Sequence, residues 1–343
     1  MMHRPKTIGC LLIILTFLLT AAGAWAGPTT IKVALITPDG STWTEILREM
    51  ARDVEKQTAG QIDFKIYAGG VSGDELDVLR KMRANRVHAA GFSGVGLGVV
   101  LPEVRILEAP LLFNSYEEVD FVKDALFDKF SADFEKKGFV LLGFAEAGFV
   151  YFFSAQPLDQ PDAIRKVKMW TWKGDPVAET FLETFGITTY PLHLADVNTG
   201  LETGMIDSFY SPPLAAIAFQ WHTRVKYLLD YPMVNSTGAL LLNKRIFDRL
   251  TPEQQQILKT TARKYARRLV DMTRKENAEA MGALMSAGIK PITPSAAEIE
   301  EFKANAKKTY RKNIPDIYSQ ALFDRVQGIL TTYRSSHAKA DAQ

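Results

Sequence analysis

Between residues 31 and 92 the chain alternates strand, helix, strand, helix, strand, and this alternation limits the fold more than any other feature. Residues 31–36 (IKVALI) form an apolar-rich run of the kind a central parallel strand needs when both its faces are covered. Thr37-Pro38-Asp39-Gly40 turns the chain, and Thr42 with Glu45 reads as a capping box. The helix that follows puts Trp43, Ile46, Leu47, Met50 and Val54 on one stripe, with Gly60 just past its end. Ile62, Phe64 and Ile66 alternate with Asp63, Lys65 and Tyr67, a second strand. A helix over 74–86 and a third strand over 88–92 complete the unit, which closes on a small-residue loop, Ser93-Gly94-Val95-Gly96. Strands joined by helical crossovers in this order predict a doubly wound parallel α/β lobe.

The rest of the chain predicts a second lobe and connections between the two. A helix over 117–137 leads to a strand over 139–146, and 149–153 continues extended as a crossing segment. A second α/β unit runs through a strand at 167–172, helices near 176–185 and 195–203, a strand at 206–210 and a helix at 214–223. A strand at 238–242 returns to the first lobe. Thr251-Pro252-Glu253-Gln254 then opens a long helix reaching about residue 287, with a capping box and proline at the first helical position. The predicted lobes are 27–148 plus 235–288 and 149–234 plus 289–335, with 336–343 a disordered tail. Two α/β lobes joined by more than one crossing segment make a cleft that a hinge closes.

Residues 1–26 are set apart by composition. Arg4 and Lys6 precede an apolar run and an Ala24-Trp25-Ala26 cleavage pattern, which reads as a secretory signal peptide. The single cysteine, Cys10, falls within it, so the mature chain offers no disulfide, thiolate or cysteine-ligated metal. Removing the leader leaves 39 basic against 39 acidic residues, a balance that argues against nucleic acid as a partner. His88, His193, His222 and His337 have no metal-pair spacing, and no phosphate loop, nucleophile elbow or dinucleotide fingerprint stands in its required context. Glu146 and Asp207 are isolated carboxylates. Binding without turnover, with no metal or cofactor, is the expectation.

One strand draws attention for its side chains. Lys168, Trp170 and Trp172 share a face, and Gly174, Asp175 and Pro176 end the strand and start a helix, Asp175 as N-cap and Pro176 at N1. Two tryptophans at the carboxyl end of a sheet strand sit where open α/β folds bind small ligands.

Several segments together resemble the periplasmic solute-binding proteins of tripartite ATP-independent periplasmic (TRAP) transporters, the DctP-like type. Pro102-Glu103, Ala109-Pro110-Leu111-Leu112-Phe113 and Tyr116-Glu117-Glu118 resemble a "PE…LPFLF…EE" segment. Residues 163–170 lie where that family has "DLKGLKIR", and Gly186 with Tyr190-Pro191-Leu192 is similar to "G…PVPL". The stretch 199–207 (TGLETGMID) is close to "TALQTGxVDG" and is the most specific match. The resemblance implies a two-lobed, type II-like periplasmic binding protein fold with a hinge, crossing strands and a long helix in the C-terminal half. It also implies a receptor that hands a small molecule to small and large permease subunits driven by an ion gradient. Some relatives of this kind work beside a periplasmic helical-repeat partner.

The departures bear on the ligand. Trp170 stands where the family places the arginine that forks onto a substrate carboxylate, residues 139–157 contain no second arginine, and Ser211 replaces a usual asparagine. A charge-assisted hydrogen bond contributes ~1.5–3 kcal/mol, and burying a carboxylate without a partner costs several kcal/mol. A tryptophan covers ~150–250 Å² instead, roughly 4–6 kcal/mol gross before association entropy. The expectation is therefore a receptor without enzymatic activity for a neutral, apolar or aromatic ligand, lipid-like molecules included. Trp170, Trp172, Phe149, Tyr151, Tyr210 and Trp43 would line the cleft and Ser93 and Ser211 would orient the ligand. Four alternatives stay open: an organic carboxylate paired by Lys168 or Lys173, a cation held over the rings, a stand-alone sensing module, and an enzyme on this scaffold. Each tryptophan can also be read as core, Trp221 in particular.

Overall fold

A computed structural model describes residues 27–159 and 162–340, except for the side chains of 338–340. The expected leader at 1–26 lies outside the described residues. The first lobe starts with β1 (Thr29–Ala34), α1 (Thr42–Gln57), β2 (Ile62–Tyr67), α2 (Glu75–Arg83) and β3 (Ala89–Ser93). β1 pairs in parallel with both β2 and β3, as strands joined by helical crossovers do. The segment read as a small-residue loop is helical: α3 (Gly94–Val100) follows directly, N-capped by Ser93, and a 3₁₀ helix (Pro102–Glu108) succeeds it. The capping box expected at Thr42 is absent. Ser41 is the N-cap and spends its hydroxyl on Pro38 O, while Thr42 donates to Glu276.

After α4 (Tyr116–Lys136), the two segments read as a strand and a crossing are one strand, β4 (Phe139–Ser154). The second lobe contributes β5 (Lys168–Trp172), α5 (Pro176–Thr184), β6 (Thr188–Leu192), α6 (Val197–Glu202), β7 (Ser208–Ser211) and α7 (Pro213–Ala218). β8 (Tyr227–Asn243) is the return strand, far longer than its apolar end suggests. Short α8 (Lys244–Phe247) leads to α9 (Pro252–Ser286), whose capping box at Thr251 and Gln254 forms as expected. β9 (Lys290–Ile292), α10 (Ala296–Asn313) and α11 (Gln320–Ala340) finish the chain.

The strands form one sheet in the order β2-β1-β3-β8-β4-β7-β5-β6, with β9 beside β8. β4 and β8 run antiparallel along their whole length and, among the described residues, are the strands shared by both halves. Their pairing shifts register at three places, between Leu141 and Gly143, Glu146 and Gly148, and Val150 and Phe152. Such bulges bend a strand and increase its twist, which is what bringing two lobes together over a cleft demands. Gly148 sits there at φ +110°, and a Cβ on it would lie 2.5 Å from Asn277 Nδ2.

Each half buries side chains on both faces of the sheet. In the first, Ile31 and Val33 join one cluster while Ala34 and Phe92 join the other. In the second, Trp170, Phe153 and Phe209 pack on one face and Met169, Phe152 and Leu229 on the opposite one. The two-lobed α/β architecture is as expected, but the chain ends are shared differently. Tyr318, Leu322, Val326 and Leu330 bury in the first lobe's cluster, so the last helix packs there and not with the second lobe. It also continues helical to Ala340, where a disordered tail from 336 was expected; 341–343 lie outside the described residues. Helix α9, about 50 Å long at 1.5 Å per residue, buries Leu258 and Ala262 in the first lobe and Leu284 in the second.

Candidate functional site

At the carboxyl end of β5 the sheet opens into a cavity of about 240 Å³ between the two lobes. That exceeds the ~150 Å³ of an engineered apolar cavity that takes up a benzene ring. β5 brings Trp170 and Trp172 to it, and parallel β7 brings Tyr210 and Ser211. Ring packing fixes the aromatic wall. Trp170 stacks on Tyr210 at 5.2 Å and 22°, meets Trp221 edge-on at 5.1 Å, and leans toward Trp172 at 6.1 Å. Phe219 in turn stacks on Trp221. These are the offset and edge arrangements that aromatic quadrupoles favour.

Three N–H groups of this wall are already engaged. Trp170 Nε1–H donates to Leu192 O (3.2 Å), Trp172 Nε1–H to Asp74 Oδ2 (3.3 Å), and the Trp172 backbone N–H to Tyr210 OH (3.2 Å). Burial, with Asp175 close by, pushes the Tyr210 phenol far above its ordinary range, so it stays neutral. What remains for a ligand on this wall is chiefly ring surface, with the Tyr210 O–H as a donor. Trp43 on α1 and Ser93 also line the cavity. Ser93 Oγ–H donates to Glu75 (2.9 Å) and Ser211 Oγ–H to Pro212 O (2.9 Å), which leaves each hydroxyl an acceptor.

Three expected residues lie elsewhere. Phe149 packs on Tyr116 at 4.6 Å in a first-lobe cluster, and Tyr151 packs against the second lobe's aromatic cluster. Val150 between them lines the cavity instead. Lys168 is exposed at the starting end of β5, where its Nζ donates to Gly204 O (2.9 Å), so it is a surface group and not a ligand contact. Asp207 serves its turn, accepting from Lys168 N and Ser208 Oγ. Sequence reasoning missed Phe92, Val150 and Phe219, and missed the helical wall of α9 at Ala262, Tyr265, Ala266 and Leu269. Trp221, read as core, is both 3% exposed and part of the lining.

The charges that reach this cavity are negative. Glu146 is compensated by Arg274 Nε (2.6 Å) and Lys123 Nζ (3.2 Å). Glu75 has no cationic partner among the described residues; it accepts from Ser93 N (2.6 Å), Gly96 N (2.7 Å) and Ser93 Oγ, and burial pushes its pKa up to about 7. Among the described residues no lysine, arginine or histidine lines it, and no three His, Cys, Asp or Glu side chains gather to hold a metal. A second arginine, Arg105, lines an adjoining cavity of about 90 Å³. There Arg105 Nη2 meets Asp175 Oδ1 and Nε meets Glu108 Oε2, both at 2.8 Å and all three side chains buried. Burial works against this guanidinium's charge, yet Asp175 and Glu108 hold its pKa above the usual value.

Besides Arg105–Asp175, two contacts of one side chain join the lobes. Asp74, N-cap of α2, also accepts from His193 Nδ1 (3.1 Å), so one carboxylate ties α2 to Trp172 and to the end of β6. The Asp74→Ala variant is expected to lose both contacts and shift the balance toward an open cleft by about tenfold, ~1.4 kcal/mol for two partly exposed polar contacts. Small-angle scattering of the unliganded protein would show this as a larger radius of gyration. An unchanged scattering profile would mean that Asp74 does not hold the lobes.

The comparisons agree with this geometry. The family model "Bacterial extracellular solute-binding protein, family 7" (DctP) matches residues 33–316. A solute-binding protein of Verminephrobacter eiseniae is 28% identical over 245 residues, 71% of this chain and 72% of that one. The sugar acid binding protein DctPAm of Advenella mimigardefordensis, solved with galactonate, superposes with a TM-score of 0.83 at 19% identity, covering 89% of this chain and 99% of that one. A TRAP periplasmic solute binding protein of Xanthobacter autotrophicus, solved with β-D-galacturonate, superposes at 0.81 and 21% identity, covering 88% and 99%. With its family model spanning residues 33–316, the chain belongs to the bacterial extracellular solute-binding protein family 7, the DctP family.

Proposed function

We propose that this chain is the receptor component of a TRAP transporter, exported to the periplasm, where it closes two lobes on a small molecule and delivers it to a two-subunit membrane permease. It is a receptor and not an enzyme. The observation that carries the reading is an interlobe cavity in a DctP-family chain, walled by Trp170, Trp172, Tyr210 and Trp221 and hinged on β4 and β8.

For the ligand, the cavity's own residues support a neutral, largely apolar or aromatic molecule. The walls offer mostly ring and aliphatic surface, the Trp170 and Trp172 indole N–H groups are engaged within the protein, and no cation lines the cavity among the described residues. A second reading has its own support. Both solved neighbours described above hold sugar acids, so on the comparisons alone an organic carboxylate is the better-backed class. At 19–21% identity the likeness carries the fold and not the pocket chemistry. A carboxylate here would also need a cation to enter the cavity from Lys173 or another basic side chain.

The test is native mass spectrometry of protein purified without refolding, followed by thermal shift. An apolar passenger should co-purify, and apolar aromatic compounds at 100 times Kd should add about 2.7 kcal/mol, a melting shift of several degrees. Stabilisation by galactonate or galacturonate, with none by apolar compounds, would select the second reading.

A further inference from the structure

The two cavities adjoin. Ser93, Val150, Trp172, Tyr210 and Ser236 line both, so the two meet along one shared set of residues. Their chemistry differs sharply. The larger is walled by rings and aliphatic groups. The smaller, beyond Trp172 and Tyr210, is closed by Val177, Ala178 and Phe181 of the second lobe and floored by Arg105, Glu108 and Asp175. Glu75 stands just behind Ser93, its carboxylate bonded to the Ser93 hydroxyl. Three carboxylates and one guanidinium thus surround the junction, and the guanidinium already faces two of the three. Glu108 further accepts from Thr237 N, and Asp175 from Val177 N and Ala178 N, so neither acid is free to swing aside for an incoming anion.

We propose that the ligand spans both cavities, with an apolar ring body in the larger and a slim end in the smaller that carries hydrogen-bond donors and no negative charge. This deepens the apolar-ligand reading above and rests on it. An anionic end would have to displace Glu108 or Asp175 from a buried guanidinium and then lie near the remaining acids, and like charges so placed oppose binding strongly. A hydroxyl, amide or ammonium donor meets carboxylate lone pairs at the junction instead, and charge-assisted acceptors make the stronger hydrogen bonds. Trp172 and Tyr210, part of both linings, set where body gives way to end.

Isothermal titration with a matched series tests this: naphthalene, 1-naphthaleneethanol, 2-(1-naphthyl)ethylamine and 1-naphthaleneacetate, with galacturonate as the acid control. The alcohol and the amine should bind at least tenfold more tightly than the acetate. Ala178→Leu, which fills only the smaller cavity, should erase that advantage while leaving naphthalene itself unchanged. If the variant does not fold, the wild-type series still decides the charge of the end. The acetate binding as tightly as the amine or alcohol would overturn the inference and leave the apolar reading standing. An advantage that persists in Ala178→Leu would place the polar end outside the smaller cavity and overturn it equally. Galacturonate binding without any naphthyl compound would remove the reading beneath it, and binding by neither series would remove the cavity as the ligand site.

Discussion

Arg105→Met is expected to lower folding stability by about 3–5 kcal/mol at pH 8, the cost of leaving buried charges without their partner. Arg105 is 5% exposed, and its guanidinium is the only cation within contact of Glu108 and the Asp175 side chain among the described residues. Methionine matches the stem but neutralises nothing. The loss should depend on pH. Burial already raises the Glu108 pKa even with Arg105 opposing it, and removing Arg105 raises it further. An acid whose folded pKa lies above its unfolded value is held protonated by the fold, so its contribution is least costly at low pH and becomes a penalty as pH rises through the unfolded value, about 4.3. The variant should therefore be less destabilised at pH 5 than at pH 8 in urea titrations. Adding Asp175→Asn to Arg105→Met should cost less than the sum of the two single changes by about 1–3 kcal/mol, since each removes the same pairing. Additive losses below about 1 kcal/mol would mean the three groups are solvated. Because Arg105 belongs to the first lobe and Asp175 to the second, the same change should open the cleft.

The first lobe was open to reading because its signals are local. Ile62, Phe64 and Ile66 alternate, and Thr251, Pro252 and Gln254 lie within four residues of each other. Where a contact is long-range, local chemistry misleads. Thr42 looks like a cap but bonds Glu276 on α9, and residues 94–96 look like a loop because the carboxylate that organises their helix, Glu75, lies about twenty residues earlier. The site divides in the same way. Trp170, Trp172 and Tyr210 follow from strand ends, whereas Phe149 and Tyr151 do not, because register shifts in β4 lie on both sides of them and period two alone does not say which neighbour faces the cleft. The α9 wall had no local signal, since the face of a long helix that meets the cavity is set by how it lies across both lobes. Gly143 lets that helix approach closely: a Cβ there would be 2.7 Å from Ala266.

Trp170→Ala should have the largest effect on binding and one of the largest on stability. The indole is 2% exposed and lies at the centre of three aromatic contacts, and truncating a buried tryptophan costs about 3–5 kcal/mol. Leu192 O also loses its donor. Trp170→Phe keeps a ring in the stack without the indole N–H and should recover more than half of the loss, which separates packing from hydrogen bonding in one denaturation series. The binding consequence follows from the same geometry. Removing the indole takes away part of the cavity's ring wall and leaves Tyr210 and Trp221 without the ring between them, so affinity for an apolar ligand should fall by at least tenfold. Trp170→Arg adds a cation to a wall with no lysine, arginine or histidine among the described residues, and should lose the native ligand while gaining weak affinity for small carboxylates. Affinity unchanged in both variants would mean that the indole serves the core alone, and the ligand would then have to be held from the α1 and α9 side of the cavity.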